Sequence, residues 1–286
     1  MRFFEKLFCF LFCVCVLWLV AGCFDHRGAP QRRVIAKSLD TAPEYLAKVE
    51  ELHLAQVMPN GLPAGLAQMP KLEHLILRGS VVSNSWQVLT ELHGLKLLDV
   101  SEMQLTAVPS EILALSNLKQ LYLASNSLAV LPPEICRIGT IEYLNLERNR
   151  LNVLPVELGD LHGLRWLRLN YNHLTVLPET TSKLKNLQRI YLRNNQLKAV
   201  PECLRGLPLL EDLELSGNQI TEIPEWLSEL PKLRNLSFSG NPVTKLPDNL
   251  NQLKSLRVFQ LVGCRIEAKE KERARTELPS KCHVAF

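Results

Sequence analysis

The most distinctive side chains in this sequence are arginines and aromatic residues that recur in step with one another. Tyr143, Trp166 and Arg189 follow at intervals of 23 residues. Tyrosine, tryptophan and arginine are enriched in the hot spots of protein interfaces. We therefore predict a partner-binding surface formed by Tyr122, Tyr143, Arg148, Arg165, Trp166, Arg168, Tyr171, Arg189, Tyr191 and Arg193.

Catalytic and metal-binding motifs are missing from the sequence. It contains no GxGxxG, P-loop, HExxH or GxSxG motif. The seven histidines show no ligand spacing, and no pair of the eight cysteines has CxxC spacing. A cysteine–histidine dyad built on Cys136 or Cys203 stays open but has no local support. A net charge of +4 is too small an excess to indicate nucleic-acid binding. We predict no enzyme activity, no cofactor, no metal and no nucleic-acid partner.

A repeat of 23 residues must position the arginines and aromatic residues. Leu118 is followed by Leu121 and Leu123, whose alternation predicts a short strand with the intervening residue facing outward. Pro132 then predicts the end of the extended segment. A fixed period in this range is the signature of a solenoid. Ten segments begin at Val49, Leu72, Leu95, Leu118, Ile141, Leu164, Leu187, Leu210, Leu233 and Leu256.

The ninth residue of six consecutive segments is asparagine. An interior amide at this point is predicted to bond backbone groups that would otherwise be buried without partners. Other residues replace it toward the ends, as expected where a solenoid must be capped: Val57, Ser80, Met103 and Cys264. The predicted asparagine ladder comprises Asn126, Asn149, Asn172, Asn195, Asn218 and Asn241.

These features resemble the leucine-rich repeat family, with its pattern LxxLxLxxNxLxxLPxxLxxLxx. The resemblance covers residues 49–266. The repeats are similar to those of the short bacterial, Ras-group-like class. It implies an α/β solenoid: a leucine-rich repeat horseshoe with a parallel concave β-sheet, an irregular or short-helical convex side, and N- and C-terminal caps. Residues 35–48 are the expected N-terminal cap, with a helix capped by Ser38, and residues 267–286 the expected C-terminal cap, a helix and a final strand.

The outward-facing residues lead to two functional hypotheses. The first is a non-enzymatic protein–protein interaction module that binds through the concave face. The alternative is an envelope structural protein or one that binds glycan or peptidoglycan. Arginine and aromatic side chains suit an acidic protein and an anionic glycan alike. A simpler explanation also stays open, namely a solvated sheet face with cross-strand pairs such as Arg189 with Asp212 and Glu147 with Arg168.

The N-terminus predicts export and membrane attachment. Residues 7–20 are almost wholly apolar, a length that suits a signal peptide better than a spanning helix. The run ends in Val20-Ala21-Gly22-Cys23, which resembles the lipobox of a bacterial lipoprotein. That resemblance implies a signal peptide over residues 1–22, lipid on Cys23, and a tether over residues 23–34. An ordinary secretory signal and an uncleaved anchor are the alternatives. Phe24 after the cysteine favours the outer membrane.

Export would also permit disulfides. Cys264 and Cys282 lie 18 residues apart in the C-terminal region, and a bridge between them would fasten the last repeat. The alternative is that both are small, buried, apolar residues.

Overall fold

The structure is a computed structural model that describes residues 33–39, 43–55, 57–83 and 85–286. The chain divides into two units, Met1–Val34 and Ile35–Phe286, and the elements below belong to the second. The predicted signal peptide, Cys23 and most of the predicted tether lie outside the described residues. Within the described part, no helix has the length and apolar character needed to cross a membrane.

In the described part of the chain, twelve short strands form one parallel sheet, as the alternation of apolar and polar residues predicts. Leu121 is fully buried between half-buried Gln120 and Tyr122, and it pairs with Leu144 in the next strand. The strands in sheet order are β1 (Ile35–Ala36), β2 (Glu51–His53), β4 (His74–Ile76), β6 (Leu97–Asp99), β7 (Gln120–Tyr122), β8 (Tyr143–Asn145), β9 (Trp166–Arg168), β10 (Arg189–Tyr191), β11 (Asp212–Glu214), β12 (Asn235–Ser237), β13 (Val258–Gln260) and β14 (His283–Ala285).

The opposite, convex side consists mainly of short 3-10 helices. Pro132 illustrates why: its φ of −65° suits the residue before such a helix, and its carbonyl accepts a bond from the Ile135 N–H at 3.1 Å. The described 3-10 helices are Ala64–Gln68, Gln87–Glu91, Ser110–Ala114, Pro133–Arg137, Val156–Asp160, Glu179–Lys183, Glu202–Leu204, Glu225–Glu229 and Leu250–Gln252.

The core lies between the sheet and these helices. Leu118, Leu123, Leu128 and Ile135 of one segment are all fully buried. Adjacent segments pack closely on the convex side. A Cβ placed on Gly159 would lie 2.3 Å from the Thr180 carbonyl oxygen, so this position requires glycine. Each segment buries its leucines only by stacking on its neighbours, which is the physical basis of a solenoid.

The predicted asparagine ladder forms a continuous set of buried bonds. Asn172 shows the pattern: its Nδ2 donates to the carbonyls of Leu146 and Leu169, both at 3.0 Å. Its Oδ1 accepts the backbone N–H of Leu151 at 3.1 Å. The carbonyl of Leu146 also accepts a bond from Asn149, so consecutive asparagines share acceptors. The ladder therefore couples each segment to the one before it.

In two of the end segments another side chain makes the bond that the asparagine makes elsewhere. Ser80 donates to the Leu54 carbonyl at 2.7 Å and Cys264 to the Phe238 carbonyl at 3.2 Å, each reaching back 26 residues as the asparagines do. Near the N-terminus, β3 (Val57–Met58) and β5 (Val81–Val82) form a separate two-stranded parallel sheet.

The predicted disulfide is absent. Cys264 and Cys282 are both free thiols. The reason is structural, because the Cys264 thiol occupies the ladder position and is directed at the carbonyl of Phe238. Its role is that of a donor to the preceding segment.

The two ends of the sheet are closed differently. At the N-terminal end the expected helix is short: α1 spans Pro43–Leu46, so Ser38 lies too far upstream to cap it. Instead β1 adds a strand to the sheet. At the C-terminal end, α2 (Ala268–Glu277) carries the buried Glu270, whose Oε2 accepts the Leu246 N–H at 3.0 Å. Arg273 bonds Glu270 and the Pro247 carbonyl, which fastens the helix to the last repeats.

Candidate functional site

The candidate site lies on the outward side of strands β7 to β11. Because successive strands pair in step, Tyr143, Trp166, Arg189 and Asp212 occupy the same position on four neighbouring strands. Leu144, Leu167 and Ile190 point into the core from those strands and are fully buried. The buried leucines thus fix the outward residues in one row.

The row is a chain of direct contacts. The rings of Tyr122 and Tyr143 lie with centroids 4.8 Å apart, and those of Tyr143 and Trp166 lie 5.7 Å apart. The guanidinium carbon of Arg189 lies 4.4 Å from the centroid of the Trp166 ring. Arg189 Nε is also 3.1 Å from Asp212 Oδ2. We call these five residues the stacked row.

Two further arginine–aromatic pairs flank the stacked row. The guanidinium carbon of Arg168 is 5.4 Å from the Tyr191 ring centroid, and that of Arg148 is 4.4 Å from the Tyr171 ring centroid. Cation–π contacts of this kind are worth about 0.5–2 kcal/mol, depending on how far they are desolvated. Three such pairs on neighbouring strands hold the long arginine side chains in defined positions.

Arg148 and Tyr171 share an unusual backbone. Their φ values are 56° and 57°, in the left-handed region, and Asn194 follows at 53°. The equivalent residues in the next three segments are Gly217, Gly240 and Gly263, which adopt φ between 67° and 77°. Left-handed geometry costs a non-glycine residue roughly 1 kcal/mol. Glu102 and Ser125 at the same position of the preceding segments have φ values of 59° and 54°, so the left-handed turn belongs to the repeat and is not peculiar to the site.

Burial controls the ionisation of the site. Burial and the nearby Asp212 raise the pKa of Tyr191 to about 12, and burial likewise raises the pKa of Tyr143. Burial opposes the charge on Arg168, but Tyr143 and Glu147 outweigh it, so the pKa of Arg168 lies above its ordinary value. At neutral pH the site therefore presents neutral phenols and permanent cations, which suits recognition rather than proton transfer.

Most of the predicted binding residues meet in this site. Eight of them make the ring contacts described above: Tyr122, Tyr143, Arg148, Trp166, Arg168, Tyr171, Arg189 and Tyr191. Arg193 is exposed and follows β10, two residues after Tyr191. Arg165 does not join: its Nε is 3.9 Å from Glu142, and it makes none of these ring contacts.

The predicted cross-strand ion pairs also form. Arg168 lies 2.8 Å from Glu147 and Arg189 3.1 Å from Asp212. All four side chains are two-thirds or more buried, so the pairs are better shielded from water than the solvated face expected from the sequence.

Sequence reasoning missed a second polar cluster, on β2 and β4. Glu51 Oε1 is 2.6 Å from His53 Nε2, and Glu51 Oε2 is 3.1 Å from His74 Nδ1. The 23-residue step from Glu51 to His74 was the available signal. Among the described residues no group of three or more such side chains has a geometry that could hold a metal ion.

The two body cysteines that could have served a dyad are unsuitable as nucleophiles. Cys136 and Cys203 are buried within convex 3-10 helices. Burial raises the pKa of Cys136 to about 12 and that of Cys203 to about 11, with neighbouring glutamates adding to the effect. Since the thiolate is the reactive form, neither thiol is activated at neutral pH.

Comparison with protein-family models matches the repeats. Residues 116–174 and 162–220 match a model described as "Leucine rich repeat", and residues 208–251 match one described as "Leucine Rich repeats (2 copies)". A search of curated proteins gives no match.

Solved structures share the fold. A leucine-rich repeat protein of Leptospira interrogans is similar with a TM-score of 0.60 and 27% identity, over 87% of this chain and 82% of that one. An internalin from Listeria monocytogenes gives 0.59 and 19%, over 86% and 85%. A TDR receptor gives 0.62 and 27%, over 78% of this chain but 40% of the receptor chain. The fold is a leucine-rich repeat solenoid, and such domains generally mediate protein–protein interactions.

Proposed function

We propose that this chain is a non-enzymatic binding module that recognises a protein partner through its concave face. The observation that carries the proposal is the stacked row with its two flanking arginine–aromatic pairs. The strands that bear it, β7 to β11, span about 19 Å at the usual strand spacing of about 4.8 Å. Tyrosine, tryptophan and arginine concentrated in one such area have the composition of an interface hot spot.

The contacts within the site favour tight binding because they order the side chains before a partner arrives. Immobilising a flexible side chain on association costs about 0.5–1.5 kcal/mol. Arg189 is already held between Trp166 and Asp212, and Arg168 between Tyr191 and Glu147. Much of this ordering cost is therefore met in the folded protein itself.

The alternative, a glycan or peptidoglycan ligand, is less well supported by this geometry. Aromatic residues bind sugars by stacking an open ring face on the pyranose. Here Arg189 lies over the ring of Trp166 and Arg148 over the ring of Tyr171. Tyr143 lies between Tyr122 and Trp166 in the row. Each of these rings is engaged with at least one protein neighbour, which reduces the open ring surface that a sugar could stack on.

The test compares Trp166→Ala/Arg168→Ala with a matched control, Arg234→Ala/Val176→Ala. Arg234 and Val176 are exposed and lie outside the site. Each full-length protein is crosslinked in a cell-envelope extract, the captured protein is identified and purified, and its Kd is measured against every variant. We expect the site variant to weaken binding at least about tenfold, as loss of hot-spot residues does, and the control to bind like the wild type.

Equal binding by the site variant and the control would refute the concave site. Retention on cell-wall sacculi, lost in the site variant while no protein is captured, would favour the glycan alternative. Circular dichroism and unfolding midpoints of both variants establish that any loss is not due to misfolding.

We also propose that the module is displayed on a membrane, anchored by lipid on Cys23 and located at the outer membrane. Support comes from the sequence, namely the apolar run over residues 7–20, Val20-Ala21-Gly22-Cys23 and the following Phe24. Several acyl chains on one residue would anchor firmly, since one chain binds only marginally. Cys23→Ala should abolish labelling with radioactive palmitate and release the protein from membranes, whereas Cys15→Ala should change neither. Unchanged labelling of the Cys23 variant would contradict the proposal.

A further inference from the structure

The arginines of the site differ in whether their charge is already neutralised. Arg168 and Arg189 each have a carboxylate within about 3 Å, from Glu147 and Asp212. No ion pair among the described residues involves Arg148 or Arg193, and both side chains are exposed. The unneutralised positive charge is therefore concentrated at the ends of the strands, where these two arginines follow β8 and β10.

Arg148 is positioned to present its donors outward. Its guanidinium lies over the Tyr171 ring, with the carbon 4.4 Å from the ring centroid. Among the described residues the Arg148 guanidinium forms no ion pair, so its N–H groups are available in the fork that matches a carboxylate.

Arg193 is fixed at its backbone and free at its side chain. Its N–H donates to Asn170 Oδ1 at 2.8 Å, and Asn170 is buried. Arg193 acts electrostatically on Glu214, whose Oε1 accepts the Ser216 N–H at 2.7 Å. No ion pair joins Arg193 to Glu214 among the described residues, so the guanidinium of Arg193 is available to a partner.

We infer that the partner presents an acidic, extended peptide segment whose carboxylates bind Arg148 and Arg193 on either side of Tyr171. This inference rests on the proposed function and names the chemistry of the protein partner. The two arginines are two strands apart, about 10 Å at the usual spacing. An extended chain rises about 3.3 Å per residue, so acidic residues two positions apart, which point to the same side, are separated by about 7 Å, and the long glutamate and arginine side chains span the remaining distance. A segment crossing the strands would therefore place one carboxylate on each guanidinium.

The test uses full-length protein and a fluorescein-labelled ten-residue peptide of alternating serine and glutamate, with a serine–glutamine peptide as the uncharged probe. The key variant is Arg148→Gln/Arg193→Gln. Its matched control, Arg234→Gln/Arg265→Gln, removes the same charge from exposed arginines elsewhere. We expect the glutamate peptide to bind at least about tenfold more tightly than the glutamine peptide, and the key variant to lose about tenfold or more of that affinity. The control should change Kd less than about twofold.

Several results would overturn the inference. If both double variants weaken binding equally, the effect is one of net charge. If the glutamine peptide binds as well as the glutamate peptide, the site does not recognise carboxylate groups. If an oligogalacturonate binds more tightly and depends on the same two arginines, the ligand class is an anionic glycan.

Failure of this inference is separable from failure of the proposed function. A captured protein that is lost by Trp166→Ala/Arg168→Ala but retained by Arg148→Gln/Arg193→Gln would refute the acidic segment alone. Retention by both variants would refute the concave site itself.

Discussion

The asparagine ladder gives a stability prediction whose size follows from counting bonds. Asn172→Ala removes two bonds donated to the carbonyls of Leu146 and Leu169 and one accepted from the N–H of Leu151. It also removes a longer contact of 3.3 Å to the Asn170 carbonyl, which adds little. The carbonyls of Leu146 and Leu169 keep a second donor, because Leu146 is also bonded by Asn149 and Leu169 by the following asparagine of the ladder. The N–H of Leu151 is left without its partner.

These losses differ in size. A buried N–H without a partner costs about 1–3 kcal/mol, and each lost amide bond about 0.5–1.5 kcal/mol, so Asn172→Ala should destabilise by about 2–6 kcal/mol. Asn152→Ala is the matched control. Asn152 is exposed and donates one long bond, 3.4 Å to the Arg150 carbonyl, so its loss should change stability by less than about 0.5 kcal/mol. The measurement is the unfolding midpoint and slope in urea.

Two double variants make the reasoning sharper. Asn149 and Asn172 share the Leu146 carbonyl, so removing both leaves it with no donor and should cost about 1–3 kcal/mol more than the sum of the single changes. Asn149 and Asn195 share no acceptor, and their double variant should be additive within about 0.5 kcal/mol. The shared-acceptor account would be refuted if the stability losses were additive in both double variants. It would also be refuted if Asn172→Ala lowered the free energy of unfolding no more than Asn152→Ala.

Three further outcomes are expected. Gly159→Ala should destabilise by about 1–3 kcal/mol through its backbone clash, whereas Gly139→Ala, which meets nothing within 4 Å, should be neutral or slightly stabilising; similar thermal midpoints would count against this. Burial opposes the charge of Glu270, yet its bonds from Arg273 and from the Leu246 N–H outweigh burial and hold its pKa below the ordinary value. Its contribution should therefore be present above its ordinary pKa of about 4.3 and be lost progressively as the pH falls through its lower pKa in the folded protein; Glu270→Gln should flatten this acid-side loss, and an unchanged pH profile would contradict it. Non-reducing peptide mapping should find Cys264 and Cys282 unlinked, so a bridged peptide would show the free-thiol assignment to be wrong.

Sequence and structure agree where the repeat dictates geometry. Leu121 and Leu144 could be assigned inward positions because a strand has a period of two, and their fully buried side chains confirm it. The 23-residue step places Arg189 opposite Asp212, and that predicted pair also forms. These agreements need only local periodicity and the pairing of neighbouring segments.

The predictions for the ends were less accurate for a physical reason. A cap occurs only once at each end, so its sequence is not part of the repeat. Neither β1 nor the short α1 could therefore be predicted from periodicity. The same applies to Cys264. Its spacing to Cys282 suggested a bridge, but the direction of its thiol depends on the carbonyl of Phe238, which only the stacked segments bring near.

The sequence by itself determined the solenoid and which residues face outward on its sheet, since both follow from a repeated pattern of apolar side chains. Tertiary structure decided which outward residues act together. Stacking of Arg148 on Tyr171 and of Arg189 on Trp166 depends on side-chain direction, which periodicity does not encode. The distinction between neutralised and free arginines likewise depends on contacts of about 3 Å. Such contacts are set by the distance between strands.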